Sequence, residues 1–214
     1  MKLAIVGATG NTGLSLAQQA AEKGHEVVAI MRNTSKFTIQ HEKIKVLEGN
    51  LLSVESLTEH FQGCDAVMSC VGAHTMRNVS IYSESVRIIT EAMKKTGISR
   101  FVGVTSWCTT DNPNDRGPFV LEWILKPTIL KSALADMAVM EKHLRESCSD
   151  IKYTVVRPPE LTNMPITDKQ IKVETERLHV PGGSTKIARA DLARFMLMCL
   201  ETEEYNGKMV SVAV

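Results

Sequence analysis

An α/β fold, a doubly wound parallel sheet of Rossmann type with helices on both faces, is what this sequence predicts. Three observations carry the prediction. Short apolar runs alternate with longer helical stretches along the chain, and such alternation builds parallel strands joined by right-handed crossovers. The strand candidates are apolar throughout rather than at every second residue, as strands covered on both faces are. A glycine-rich turn, Gly7-Ala8-Thr9-Gly10-Asn11-Thr12-Gly13, stands between the first strand and the first helix.

The elements follow in order. Leu3–Val6 opens as a strand. Leu14–Lys23, rich in Ala, Gln and Leu, is a helix that stops at Gly24. Glu26–Met31 and Ile44–Leu47 are the second and third strands, Val54–Phe61 is a short helix, and Ala66–Val71 is the fourth strand. Ser80–Lys95 is a long helix ending near Gly97, with Lys94 and Lys95 where the helix dipole favours cations. Phe101–Val104 is the fifth strand. Trp107–Lys131, with Pro113, Pro118 and Pro127, reads as an irregular, lid-like insertion. Ala133–Ser147 is helical, Tyr153–Val156 a strand, Asp191–Leu200 a last helix, and Met209–Val212 closes the sheet. One domain over residues 1–214 accommodates all of this.

The composition narrows the function classes. The 214 residues carry 25 Lys and Arg against 24 Asp and Glu, a net charge of +1, and 43% are hydrophobic. That is ample for a core and unlike a disordered chain. The charge balance argues against nucleic acid or an acidic membrane as partner, since neither could be drawn by a broad positive field. Cys64, Cys70, Cys108, Cys148 and Cys199 are scattered, with no Cys-x-x-Cys, so no metal site is expected. They read as reduced, buried small hydrophobes. The apolar run before Gly7 is too short for a signal-peptide core, and no run reaches transmembrane length. A cytoplasmic protein is expected.

The glycine turn carries the strongest chemical signal. Gly7 lets the chain turn sharply, Gly10 lets backbone approach a pyrophosphate, and Gly13 lets the helix lie close to the strand. The helix amino end offers unpaired N–H groups and partial positive charge to phosphates. At the end of the second strand, NAD-selective sites place an acid to hold the ribose hydroxyls. Here the chain reads Met31-Arg32-Asn33-Thr34-Ser35-Lys36. An arginine can fork onto a 2′-phosphate, and Ser35 and Lys36 add a hydroxyl and a second charge. NADPH is therefore the expected cofactor.

Further along come Glu48-Gly49-Asn50-Leu51, Asp65-Ala66-Val67, Val71-Gly72, Val104-Thr105-Ser106, His143-Leu144-Arg145-Glu146-Ser147 and Arg157-Pro158-Pro159. Together with the glycine turn and Met31-Arg32, this ordered set resembles the flavin reductase (biliverdin reductase B) family of NADPH enzymes. That family is an atypical branch of the short-chain dehydrogenases. Ala133–Thr162 is also similar to bacterial NmrA-like NAD(P)-binding proteins. The resemblance implies that Thr9, Asn11 and Thr12 line the pyrophosphate and that Asn50 and Leu51 contact adenine. It puts Val71 and Gly72 beneath the ribose, and Val104, Met137, Glu160 and Leu161 near the nicotinamide. Ser106 would stand beside nicotinamide and substrate, and its place just past a strand's carboxyl end suits that role independently. A monomer is implied. The chain departs from the family at three positions: Glu160 stands for a histidine, Met137 for a histidine and His74 for an arginine. The Trp107–Lys131 segment is also longer than in the vertebrate enzyme.

Most short-chain dehydrogenases reduce carbonyls with a Tyr-x-x-x-Lys pair, the tyrosine giving the proton. Tyr82, Tyr153 and Tyr205 are followed four residues later by Val86, Arg157 and Met209, so no such pair exists. Hydride transfer to a planar, conjugated acceptor such as a flavin or a linear tetrapyrrole is less demanding, because the ring system delocalises the incoming charge and proximity supplies much of the rate. The catalytic candidates are Ser106 and Glu160, the latter a proton donor if its pKa is raised, or else a surface glutamate. Trp107, Phe119 and Trp123 read either as a lid stacking on a planar ligand or as packing anchors. The expected activity is NADPH-dependent reduction of free flavin or a biliverdin-like tetrapyrrole. A non-catalytic NADPH-binding redox sensor is the alternative, and an isomerase is a third reading that the missing pair disfavours.

Overall fold

The computed structural model describes residues 1–175 and 177–214. A sheet of eight strands runs through the middle. The strands are β1 (Lys2–Val6), β2 (Glu26–Met31), β3 (Ile44–Glu48), β4 (Ala66–Ser69), β5 (Arg100–Val104), β6 (Lys152–Arg157), β8 (Lys172–Glu174) and β10 (Lys208–Ala213). Their spatial order is β3-β2-β1-β4-β5-β6-β10-β8. Every pairing is parallel except that of β8, which runs antiparallel to β10 along Ser211↔Glu174 to Ala213↔Lys172. Two short strands, β7 (Glu160–Thr162) and β9 (Lys186–Ala188), form a separate parallel pair. The expected doubly wound sheet is present, and its order reverses between β1 and β4.

Helices cover both faces. On one side lie α1 (Asn11–Glu22) and α5 (Arg189–Met198), which pack on each other. Leu16, Ala17 and Ala20 of α1 and Leu192, Phe195 and Met196 of α5 share a core with Leu3, Ile5 and Val102 of the sheet. The small alanines let α1 approach closely. On the other side lie α2 (Val54–Phe61), α3 (Ile81–Thr96) and α4 (Lys131–Ser147). Leu57, Phe61, Val86, Ile89, Met140 and Leu144 meet Ala4, Val67 and Phe101 there. Successive residues of one strand thus enter opposite cores, which is why the strands are apolar throughout.

The boundaries moved by small amounts, each for a local reason. Helix α1 begins at Asn11, three residues ahead of Leu14, because Gly10 adopts an extended cap conformation and the helix starts at once. Strand β4 ends at Ser69, not Val71, as the chain leaves the sheet at Cys70. Helix α5 begins at Arg189 rather than Asp191. Within Trp107–Lys131 the chain makes one wide helical turn, Leu121–Leu125, of i→i+5 type. Strands β7, β8 and β9 were not expected from the sequence.

Candidate active site

The glycine loop is shaped by contact with the next strand. Gly7 has φ +79°, and a Cβ there would sit 2.8 Å from the carbonyl carbon and oxygen of Cys70. A side chain is therefore excluded both by φ and by space. At Gly13 a Cβ would lie 2.7 Å from Ala8 Cα, so α1 presses on the loop as closely as glycine permits. Gly10 is different. Its nearest neighbour to a Cβ would be Gly7 O at 3.6 Å, and its φ is −74°. The protein itself would tolerate a side chain at Gly10. The open space fits a ligand's approach, as does Gly72, where nothing lies within 4 Å of a Cβ. Thr9 and Thr12 are half-buried and Asn11 is exposed at the amino end of α1.

A cleft of about 330 Å³ lies at the ends of β2 and β3, lined by Arg32, Glu48, Gly49, Asn50 and Ser56. Arg32 follows β2 and reaches His74, which follows β4, with Nη2 3.1 Å from His74 Nε2. Among the described residues Arg32 has no carboxylate partner within 4 Å, although Glu48 lines the same cleft. Ser35 donates from its N–H and its hydroxyl to Asn33 Oδ1, at 3.0 and 2.6 Å, closing the exposed turn Thr34–Lys36 that also carries Lys36. Asn50 accepts from Leu52 N–H through Oδ1 at 3.0 Å, which sets the turn into α2. Leu51 is buried in the core.

The other end of the groove lies past β4, β5 and β6. Val71 and Gly72 follow β4, and Val104 is the last residue of β5. Ser106 is half-buried, and among the described residues its hydroxyl has no hydrogen-bond partner. Its neighbours are tied down. Thr105 N–H donates to Val156 O and Trp107 N–H to Pro158 O, each at 3.0 Å. The Thr105 hydroxyl donates to Glu141 Oε1 at 2.8 Å, and the Trp107 indole N–H donates to Val212 O at 3.1 Å.

Glu141 was missed by sequence reasoning. Its carboxylate, 1% exposed, also accepts from the Thr109 hydroxyl at 2.9 Å and from Arg157 at 2.9 and 2.6 Å. A forked, fully buried pair of this kind fixes α4, β6 and the loop after β5 to one another. No local signal marks it, because its partners Thr105, Thr109 and Arg157 lie 36, 32 and 16 residues away in sequence. On the same helix Met137 is buried in the core. All three tyrosine hydroxyls are pushed up in pKa by burial, and Tyr82 OH accepts from Ala73 N–H at 3.3 Å.

Glu160 is exposed at the start of β7 and pairs with Lys186 Nζ at 3.4 Å. Leu161, next along β7, is half-buried, and its carbonyl accepts from Arg189 Nη1 at 3.1 Å. Trp107 is an anchor, 2% exposed and packed with Cys108, Val180 and Ala213. Phe119 and Trp123 are 70% and 58% exposed and stack on each other at 6.3 Å, with the Arg116 guanidinium 5.1 Å over Trp123. Trp107 is thus a packing anchor, while Phe119 and Trp123 lie at the surface against each other.

A sheet reversing at β1 and β4, with a glycine turn running into a helix at that point, defines a dinucleotide-binding protein of Rossmann type. The chain belongs to the NAD(P)H-binding family, whose profile matches residues 7–203. Over 216 aligned residues it is 26% identical to the oxidoreductase aflX of Aspergillus parasiticus, covering 92% of this chain and 81% of that one. Protein YwnB of Bacillus subtilis is 38% identical over 73 residues, a match spanning 34% of this chain and 32% of the relative. Among solved structures, a wide-type short-chain dehydrogenase/reductase from Veillonella parvula in complex with NADP superposes with TM-score 0.81, at 19% identity over 100% of this chain and 94% of that one. A candidate NADH-flavin reductase from Streptococcus pneumoniae gives TM-score 0.76 at 22% identity, over 100% and 99% of the two chains. These likenesses establish an NAD(P)H-binding oxidoreductase-type fold. Among the described residues no helix is long and apolar enough to cross a membrane, and no cluster of three metal-ligating side chains is present.

Proposed function

We propose that this protein is an NADPH-dependent reductase of a small planar acceptor, a free flavin or a biliverdin-like tetrapyrrole. The observation that carries the reading is the combination of a dinucleotide groove with an α4 that contains no tyrosine to donate a proton. Preference for NADPH is supported by Arg32, which among the described residues lacks a carboxylate partner and lines the cleft at the end of β2 and β3. The likeness to a candidate NADH-flavin reductase points the same way for the acceptor.

NADPH supplies a hydride, two electrons carried with one proton, to the acceptor ring. The chain's own residues bind and orient. Backbone N–H groups at the start of α1 and the side chains of Thr9, Asn11 and Thr12 hold phosphate. Arg32, with Ser35 and Lys36 on the same turn, receives the 2′-phosphate. Val71, Gly72, Val104 and Leu161 shape the apolar wall of the groove, and the Ser106 hydroxyl donates a hydrogen bond to the acceptor. The second proton needed for a reduced flavin comes from water, since Glu160 is ion-paired in solvent. Proximity accounts for most of the rate in such a site.

The test is to mix the pure protein with NADPH and FMN, then with biliverdin, and follow the loss of reduced nicotinamide. Turnover with either supports the proposal. Tight NADPH binding with no turnover on both would refute it and favour a redox sensor.

A further inference from the structure

Among the described residues Arg189 is a cation without a counter-ion. It is the first residue of α5 and is half-buried. Of the described acids, Glu160 pairs with Lys186, while Asp191 takes Arg194 and the Thr167 hydroxyl. Only Nη1 is used, donating to Leu161 O at 3.1 Å and to Asn163 Oδ1 at 2.8 Å. Among the described residues Nε and Nη2 make no hydrogen bond. The position also works against its own helix. A positive side chain in the first turn opposes the helix dipole, and Ala188 at the cap contributes no side-chain acceptor. Charge placed against local electrostatics marks positions retained for function.

The hydrogen bonds tie it to the glycine loop. Asn163 Oδ1 accepts a second bond, from Asn11 Nδ2 at 3.2 Å. Asn11 opens α1 immediately after Gly10. Through one amide oxygen, Arg189 is therefore linked to the amino end of α1, and through Leu161 O to the strand at the other end of the groove. The glycine loop offers backbone N–H groups, Thr9, Asn11 and Thr12, but no charged side chain of its own. A dinucleotide's diphosphate would bring two negative charges to that place.

We infer that Arg189 is a cofactor-binding residue whose free guanidinium edge neutralises the diphosphate at the amino end of α1. Two anchored bonds on Nη1 hold the fork in place, so little side-chain entropy is lost when the remaining nitrogens meet phosphate oxygens. Arg32 then discriminates between the cofactors, while Arg189 serves both alike. The inference rests on dinucleotide binding and is independent of which acceptor is reduced.

Equilibrium binding to the full chain tests it, with no acceptor present. Arg189→Gln should raise Kd for NADPH and for NADH by the same factor, about 10- to 100-fold for loss of a charge-assisted contact. Binding of adenosine 2′-monophosphate, which has no diphosphate, should not change. Arg189→Lys should recover part of the lost affinity. If Arg189→Gln fails to fold, Asn163→Ala removes one anchor and should weaken both dinucleotides several-fold. The inference is overturned if both dinucleotide Kd values stay within about twofold of the unsubstituted chain. It is overturned equally if adenosine 2′-monophosphate weakens in parallel, or if the unsubstituted chain binds neither dinucleotide. Lack of flavin or biliverdin turnover would leave these binding ratios untouched.

Discussion

Removing the Glu141 carboxylate should cost this protein more than any surface change. Glu141 is 1% exposed, and its two oxygens accept from Arg157, Thr105 and Thr109. In Glu141→Ala the Arg157 guanidinium, 7% exposed, is left as an unpaired buried charge. Breaking a buried pair from one side costs about 3–5 kcal/mol. At about 2–4 °C per kcal/mol for a chain of this size, the melting midpoint should fall by roughly 6–20 °C. The double variant Glu141→Met with Arg157→Met removes both charges and fills the space. It should recover most of the loss, leaving about 1–3 kcal/mol for the Thr105 and Thr109 hydroxyls that no longer have acceptors. Urea unfolding followed by circular dichroism measures both. The reasoning fails if Glu141→Ala costs under about 1 kcal/mol, or if the double variant is less stable than the single one.

Other expectations are smaller in scope. Gly10→Ala should leave the melting midpoint of the free protein unchanged yet weaken NADPH binding about tenfold or more, because the space there is open only until a phosphate enters. Gly7→Ala should instead destabilise the fold by about 1–3 kcal/mol, through strain at φ +79° and contact with Cys70; equal stability of the two variants in thermal melts would contradict this division. Arg32→Glu should weaken NADPH by about 10- to 100-fold with little effect on NADH, and equal losses in titrations would remove the assignment. Burial pushes the Cys108 and Cys199 thiols up to about 12. The folded state therefore keeps protons that an unfolded thiol releases above its ordinary value near 9, and stability falls as pH rises from 9 towards 12. Each thiol contributes about 1.4 kcal/mol per pH unit in that window. Cys199→Ala should flatten the alkaline limb of a stability–pH curve, and an unchanged slope would count against the assignment.

How much of this was readable beforehand depends on how local the cause was. β1, β2, β4, β5, β6 and β10 declare themselves because each is an apolar run buried on both faces, β3 at the sheet edge shows a shorter apolar pattern broken by Lys45, and the helices between them end near Gly24 and Gly97. β7, β8 and β9 are three residues each and mix charge with apolar side chains. Their pairing, such as Glu160↔Lys186, comes from residues far apart in sequence. The cofactor end of the site was legible for the same reason the strands were, since Gly7 to Gly13 is one continuous stretch. Asn163, 152 residues from its partner Asn11, was not. Nor was the cap of α3, where Asp136 of α4 accepts from Tyr82 N–H at 2.8 Å and Ser80 contributes no side-chain bond. Arg189 left a faint trace, a basic residue at the start of a helix.

The packing of α1 on α5 has a consequence for how the chain comes into being. Leu16, Ala17 and Ala20 find their cover in Leu192, Phe195 and Met196, made about 170 residues later. At about 5–20 residues per second, this stripe of the nascent chain waits roughly 10–35 s for its partner. The cofactor loop shares that wait, because α1 opens at Asn11 and holds Gly13 against the loop. This segment is thus made long before it is sheltered, and its alanine-rich surface suits a helix that must stand uncovered in the meantime.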